Sequence, residues 1–204
     1  MNIPNKLTLA RVLLVPIMMI VMYIPPLQNT VNIFGLEIPI FCLIADFIFI
    51  LASYTDHLDG KIARKKKLIT NFGKFLDPIA DKILVLTAMI MLVEMQRIPA
   101  WIPVIVAFRE FIVSGYRLIA SQKKGNVIAA SIWGKIKTVS QMIAIILIFI
   151  DPNPFFSFVN GELSGFPIVL NIVDSLVLIV SVVATVFSGY QYVKDWKELF
   201  KGDM

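Results

Sequence analysis

Apolar residues run through most of this chain, and the polar interruptions recur at intervals that suit membrane-spanning helices. Residues 12–36 and 175–193 carry no charged side chain. Each stretch is long enough to cross a hydrocarbon core of about 30 Å as a helix. Four further apolar segments, near residues 38–56, 77–96, 100–121 and 131–150, each have an ionisable residue inside or at one end. The pattern predicts an all-α chain, an integral membrane bundle of six transmembrane helices. Bare charge is costly in lipid, so the interrupted helices should turn their ionisable residues toward protein or a water-filled cavity.

Composition agrees. The chain has 58% hydrophobic and 16% charged residues among 204, with a mean hydropathy of +0.82, which excludes an ordinary soluble domain. Segments 57–76, 122–130 and the C-terminal end hold the positive charge, whereas 27–37, 97–99 and 151–167 hold turn formers. Of the 19 Lys and Arg residues, Arg97 alone then lies at an outer end. The positive-inside rule therefore places both termini in the cytoplasm. The first segment follows Lys6 and Arg11 but has no small-residue cleavage site, and reads as an uncleaved span. The absence of linkers and repeats predicts a single membrane domain over residues 1–204. Cys42, in an apolar span, is the only cysteine and forms no internal disulfide. Trp101, Trp133 and Trp196, near span ends, read as interfacial anchors. No nucleic-acid partner is expected.

The chemistry concentrates in TDHLDGKIARKKKLITNFGKFLDPIADK, residues 55–82. Asp56 and Asp59 are three apart, and Asp77 and Asp81 four apart, spacings that put each pair on one helical face. If the second and third helices pack, four carboxylates converge where the helices end. Such a cluster either retains protons or binds cations. Oxygen-only ligands favour hard divalent ions, Mg²⁺ first, with Mn²⁺ or Ca²⁺ next. Metals beside phosphate suit displacement at phosphorus. Gly60 allows close approach of a ligand to the backbone, Arg64 can grip a phosphate bidentately, and Lys65, Lys66, Lys67 and Lys74 add positive field. The structural alternative is that the aspartates cap helices, Asp77 before Pro78 above all, while the lysines anchor the loop to anionic lipid. His57 should point away from the carboxylates, to a role outside the metal site.

The spacing D-x2-D-G-x2-A-R-x8-G-x3-D-x3-D resembles the signature of the CDP-alcohol phosphatidyltransferases, and this chain matches it at Asp56, Asp59, Gly60, Ala63, Arg64, Gly73, Asp77 and Asp81. The resemblance implies a six-span membrane enzyme, usually a homodimer, that transfers a phosphatidyl group from CDP-diacylglycerol to an alcohol and releases CMP. It implies that Asp56, Asp59 and Asp77 bind a pair of divalent metals, with Asp81 both ligand and general base. It also implies that Gly60, Arg64 and Thr70 contact the nucleotide diphosphate, with Ala63 and Gly73 in the same CDP-diacylglycerol site. The opening NKLTLAR, residues 5–11, resembles the family's amino-terminal segment that helps cover the nucleotide, which adds Asn5 and Thr8. Capping of the first helix by either residue is an equally open reading.

The remaining charges bear on the acceptor. Arg109 and Glu110 interrupt the fourth segment, and Arg117 follows eight residues later, about two helical turns nearer the cytoplasm. Arginine at that depth needs an anionic partner. As Arg109's immediate neighbour, Glu110 should point elsewhere and cannot serve both arginines, whereas a bound phosphate could. Lys135 and Lys137 would complete the cationic pocket. The alternatives are an ion pair of Arg109 with Asp46 or Glu110, and snorkelling of the two lysines. Asp46 lies ten positions before Asp56, about 15 Å along a helix and too deep for the metal site. It is either protonated, paired with a base, or lining the lipid-tail cavity.

A cationic pocket suits an acceptor that bears its own phosphate. REFIVSGYR, GKIKT and FGKFLDPIADK resemble segments of the family's bacterial phosphatidylglycerophosphate-synthase branch. That resemblance implies sn-glycerol 3-phosphate as acceptor, in the bacterial cytoplasmic membrane, with the site facing the cytosol. Inositol phosphate or phosphatidylglycerol as acceptor remain open, as does, more distantly, a divalent-cation transporter that uses the aspartates as a relay.

Overall fold

Six long helices carry the described chain: α1 (Ile3–Val21), α2 (Ile40–Lys66), α3 (Asn71–Glu94), α4 (Trp101–Lys124), α5 (Ile132–Ile150) and α6 (Phe166–Leu199). The computed structural model describes residues 3–66, 71–124 and 132–199, and side chains over 7–55, 79–117 and 132–194. α1 packs on α2 and α3, α4 on α3 and α6, and α5 on α6, α2 and α3. Small residues sit at these contacts. Ala45, Ala52, Ala88 and Ala144 are fully buried, which lets the helices approach closely enough for Phe49, Met89, Leu92 and Phe149 to interlock among them.

The outward faces are also apolar. Leu13, Ile20, Phe47, Ile90, Val104, Phe108, Phe111, Val139, Leu176 and Phe187 are exposed, drawn from all six helices. Exposed apolar surface on this scale suits lipid rather than water. Two helical stretches, Ile132–Ile150 and Phe166–Lys194, are long and apolar enough by themselves to cross a bilayer; Leu7–Val21 and Ile40–Thr55 are shorter apolar runs. The architecture is thus a mostly helical one, of the kind expected of a membrane protein.

Three expectations change. The uncharged stretch 12–36 is not one helix. α1 starts at Ile3 and ends at Val21, and Pro25 and Pro26 begin a short 3-10 turn, Pro25–Gln28, because proline supplies no amide hydrogen to continue the helix. The rest is an antiparallel hairpin, β1 (Thr30–Ile33) and β2 (Leu36–Pro39), with Ile33 opposite Leu36. Its two-residue turn uses positive φ at Phe34 and Gly35, 53° and 84°, the turn whose twist matches paired strands. The Gly35 amide also donates to Asn32 Oδ1. Leu36 and Ile38 point inward beneath this hairpin and close the bundle against Phe41, Cys42 and Leu170. An otherwise all-α reading therefore gains a small sheet.

The segment expected as an inner loop, 57–76, is helical on both sides of residues 67–70, since α2 runs to Lys66 and α3 starts at Asn71. Asp56, Asp59 and Asp77 thus lie within helices rather than at their ends, and Asp77 is too far past the start of α3 to cap it. Finally, α6 begins at Phe166 and takes Asp174 into a buried polar knot. There Asn171 Nδ2 donates to Asp151 Oδ2 at 2.7 Å and the Asn153 amide donates to Asp151 Oδ1 at 3.0 Å.

Arg97, in the turn between α3 and α4, is only 4% exposed. Its Nη1 donates to the carbonyls of Ile148 and Phe149, each at 2.8 Å, so a cation closes the C-terminus of α5 where the helix dipole is negative. Arg97→Ala should lower stability by about 2–3 kcal/mol, the scale of hydrogen bonds to a charged group. Unfolding in detergent reads this out, and an unchanged midpoint would show that the cap contributes nothing.

Candidate active site

Helical periodicity brings polar residues from three helices to one cavity. On α4, Glu110, Ser114 and Arg117 recur at intervals of four and three; on α5, Gly134, Lys137, Thr138 and Gln141 do the same; α3 contributes Asp81 and Lys82. Residues so spaced share a helical face. Together with Arg109 they line a cavity of about 710 Å³, with Ile79, Val85, Leu86, Val106, Val113 and Met142 as its apolar wall. Lys82, Arg109, Arg117 and Lys137 line it together with the carboxylates of Asp81 and Glu110. The cations outnumber the anions by two, a balance that favours a phosphate.

Glu110 organises this charge. Its Oε1 lies 2.7 Å from both Arg109 Nη1 and Lys137 Nζ, with the Arg109 and Glu110 side chains only 11% and 14% exposed. The expectation that Glu110 would point away from Arg109 is therefore corrected. Adjacent helical positions do diverge, but a guanidinium on three methylenes is long enough to turn back along the helix. The pairing with Glu110, rather than Asp46, is the one that forms.

Arg109 is further held by Ser188 Oγ on α6, while its Nε has no hydrogen-bond partner among the described residues. Arg117 Nη2 donates to Tyr192 Oη, also on α6, at 2.9 Å. Lys82 donates to Ser114 Oγ, which in turn donates to the Glu110 carbonyl at 2.6 Å. Asp81 stands within electrostatic reach of Lys137.

Four of the expected site residues, Asp81, Arg109, Arg117 and Lys137, are thus brought together. Lys135 is not: it is exposed and does not line the cavity, because two residues along a helix turn about 200°, so it faces away from Lys137. Asp46 is buried, apart from this cavity, with Oδ1 unpartnered among the described residues. Thr8 is buried on α1. Nearby, Arg11, wholly buried, donates from Nε to the Ala52 carbonyl at 3.2 Å. That bond ties α1 to α2 four residues before Asp56.

Asn5 lies on α1, Asp56, Asp59, Gly60, Ala63 and Arg64 on α2, and Gly73 and Asp77 on α3; their side chains, and Thr70 altogether, lie outside the described residues. Among the described side chains no three His, Cys, Asp or Glu cluster as a metal site. As a donor set, the two aspartate pairs on helices that pack together are all oxygen, which fits hard divalent cations.

Residues 1–188 match the model of a protein family described as CDP-alcohol phosphatidyltransferase. The chain belongs to the CDP-alcohol phosphatidyltransferase family. Among its relatives, the CDP-diacylglycerol–glycerol-3-phosphate 3-phosphatidyltransferase of Bacillus subtilis (strain 168) is 44% identical over 97% of this chain and 97% of its own length. Proteins of the same name are 36% identical in Haemophilus influenzae, over 95% and 92% of the two chains, and 34% identical in Rickettsia bellii, over 98% and 97%.

In this phosphatidyltransferase the sequence pattern alone missed Lys82, Ser114, Gln141, Ser188 and Tyr192. Gln141 was detectable as a polar residue one turn after Lys137 in an apolar run. Ser188 and Tyr192 lie in a stretch that reads as featureless span until α6 is seen against α4.

Removing the Glu110 charge leaves Arg109 and Lys137 facing each other in an apolar bundle. Glu110→Gln should cost on the order of 3–5 kcal/mol, the scale for breaking a buried ion pair. Adding Lys137→Met should recover part of that loss. Unfolding of both variants in detergent checks this, and additive losses would contradict the bridge.

Proposed function

We propose that this chain transfers the phosphatidyl group of CDP-diacylglycerol to sn-glycerol 3-phosphate, giving phosphatidylglycerol phosphate and CMP. The observation that carries this reading is that Asp81 lines the same cavity as Arg109, Arg117 and Lys137. A proton acceptor and a phosphate-sized excess of cations thereby share one space. The relatives named for glycerol-3-phosphate as acceptor, similar along nearly their whole length, support the choice of alcohol.

The acceptor's phosphate docks on Arg109, Arg117 and Lys137, whose low-dielectric walls strengthen the attraction. This orients the primary hydroxyl toward Asp81. Asp81 takes the hydroxyl proton as the oxygen bonds to the phosphatidyl-side phosphorus, and the bond from that phosphorus to the CMP oxygen breaks. Asn5, Thr8, Gly60, Ala63, Arg64, Thr70 and Gly73 hold CDP-diacylglycerol, Arg64 through its phosphates. Two divalent ions, Mg²⁺ first and Mn²⁺ second, held by Asp56, Asp59, Asp77 and Asp81, would supply charge stabilisation at the diphosphate when bound.

Six spans, residues 1–204 as one domain, cytoplasmic termini and a cytosol-facing site in the bacterial cell membrane complete the reading, with the enzyme a homodimer. The apolar outer faces of all six helices support the span count. The concentration of Lys and Arg over residues 61–82, on the Asp81 side, supports the orientation.

Purified protein with CDP-diacylglycerol and Mg²⁺ should release CMP with sn-glycerol 3-phosphate and not with glycerol, and chelation should stop the reaction. Inositol phosphate working equally well would overturn the choice of acceptor, and metal flux in sealed vesicles without CMP release would overturn the enzyme. Asp81→Asn should slow transfer by roughly 10²–10⁴-fold, the range for loss of a general base, while CDP-diacylglycerol still binds. Normal turnover in that variant would remove Asp81 from the mechanism.

A further inference from the structure

Both cavity arginines are held from behind by one helix. Arg109 contacts Ser188 and Arg117 contacts Tyr192, so the contacts advance in the same direction along α4 and α6 and the two helices run parallel. Ser188 is fully buried and Tyr192 is 4% exposed, and neither lines the cavity. The Arg117 guanidinium carbon also sits 5.6 Å from the centroid of the Tyr192 ring, within cation–π range. Tyr116 braces that ring edge-on, at 5.5 Å and 67°. Between the two anchors, Gly189 presents bare backbone to Arg109. A Cβ there would meet Arg109 Cγ at 3.3 Å, tighter than a pinned side chain accommodates.

The anchors have a common chemistry: both are neutral oxygens. A free arginine in this cavity would fold onto Asp81 or Glu110 and lose its charge to them. A hydroxyl fixes the guanidinium without cancelling it. Arg109 is paired with Glu110, whereas among the described residues Arg117 has no carboxylate partner.

We infer that α6 is the positioning element of the acceptor site: Ser188 and Tyr192 aim Arg109 and Arg117 into the cavity, so that an incoming phosphate monoester meets cations already fixed in place. Holding the arginines in advance spares the entropy of ordering two long side chains on binding. This rests on the reading above that the cavity takes the acceptor's phosphate.

The test is kinetics with each substrate varied separately, in wild type, Ser188→Ala, Tyr192→Phe, Arg109→Ala, Arg117→Ala and the Arg117→Ala/Tyr192→Phe double variant. Tyr192→Phe keeps the ring and its packing and removes only the hydroxyl. It should raise the KM for sn-glycerol 3-phosphate roughly three- to tenfold, in line with one hydrogen bond to a charged group, and leave the KM for CDP-diacylglycerol unchanged. In the Arg117→Ala background the same change should have no further effect, because its partner is gone. Should Ser188→Ala lower the folded yield, the tyrosine arm decides alone.

A Tyr192→Phe effect that is absent, equal on both substrates, or undiminished without Arg117 overturns the inference while the acceptor site stands. If Arg109→Ala and Arg117→Ala themselves leave the acceptor KM unchanged, the acceptor site is wrong and the inference falls with it.

Discussion

One carboxylate oxygen, Glu110 Oε1, 2.7 Å from a guanidinium and from an ammonium, lets a bundle this apolar keep a charged cavity. Without it, Arg109 and Lys137 would each need a separate counter-ion inside a helical core, or would be driven out of it. With it, α4 and α5 are locked together across the cavity, and the surplus positive charge rests on Lys82 and Arg117. The remaining polar contacts follow from the same constraint. Serines and tyrosines on α6 and α4 take up donors that lipid or alkane walls cannot.

The same cost of bare charge shapes the opposite end of the molecule, with a different solution. There Arg97 spends its donors on the last carbonyls of α5, and Asp151, Asn153 and Asn171 satisfy one another. Among the described residues these groups take their partners from neighbouring protein atoms. The α3–α4–α5 cavity instead is lined by more cations than anions. The contrast is between a knot whose polar groups satisfy one another and a cavity with a surplus of positive charge.

Much of this was legible in the sequence, for identifiable reasons. Six helices follow from apolar segments of spanning length, and the family from a spaced set of aspartates and glycines that no structural role demands. Arg109, Arg117 and Lys137 could be placed in one pocket because each interrupts an apolar run. What escaped was whatever depends on direction or on partners far away in sequence. The hairpin at 30–39 is as uncharged as a span, and only Pro25, Pro26 and the Phe34–Gly35 turn distinguish it. The Arg109–Glu110 pair contradicts simple helical spacing because side-chain length overrides it. Lys135 looked equivalent to Lys137 until the helix turned it outward. Ser188 and Tyr192 carry no local signal, since their meaning comes from α4. The aspartates of α2 and Asp77 are the part of the site that rests on the sequence pattern and on the packing of their helices.

If Arg109 and Arg117 draw a phosphate monoester into the cavity between α3, α4 and α5, its binding must depend on both. Equilibrium binding to the purified protein, with sn-glycerol 3-phosphate and glycerol compared in wild type and in an Arg109→Ala/Arg117→Ala variant, measures that dependence. Saturable binding of the phosphate-bearing alcohol alone is expected, abolished in the variant. Binding that survives loss of both arginines, or that glycerol matches, would contradict this expectation.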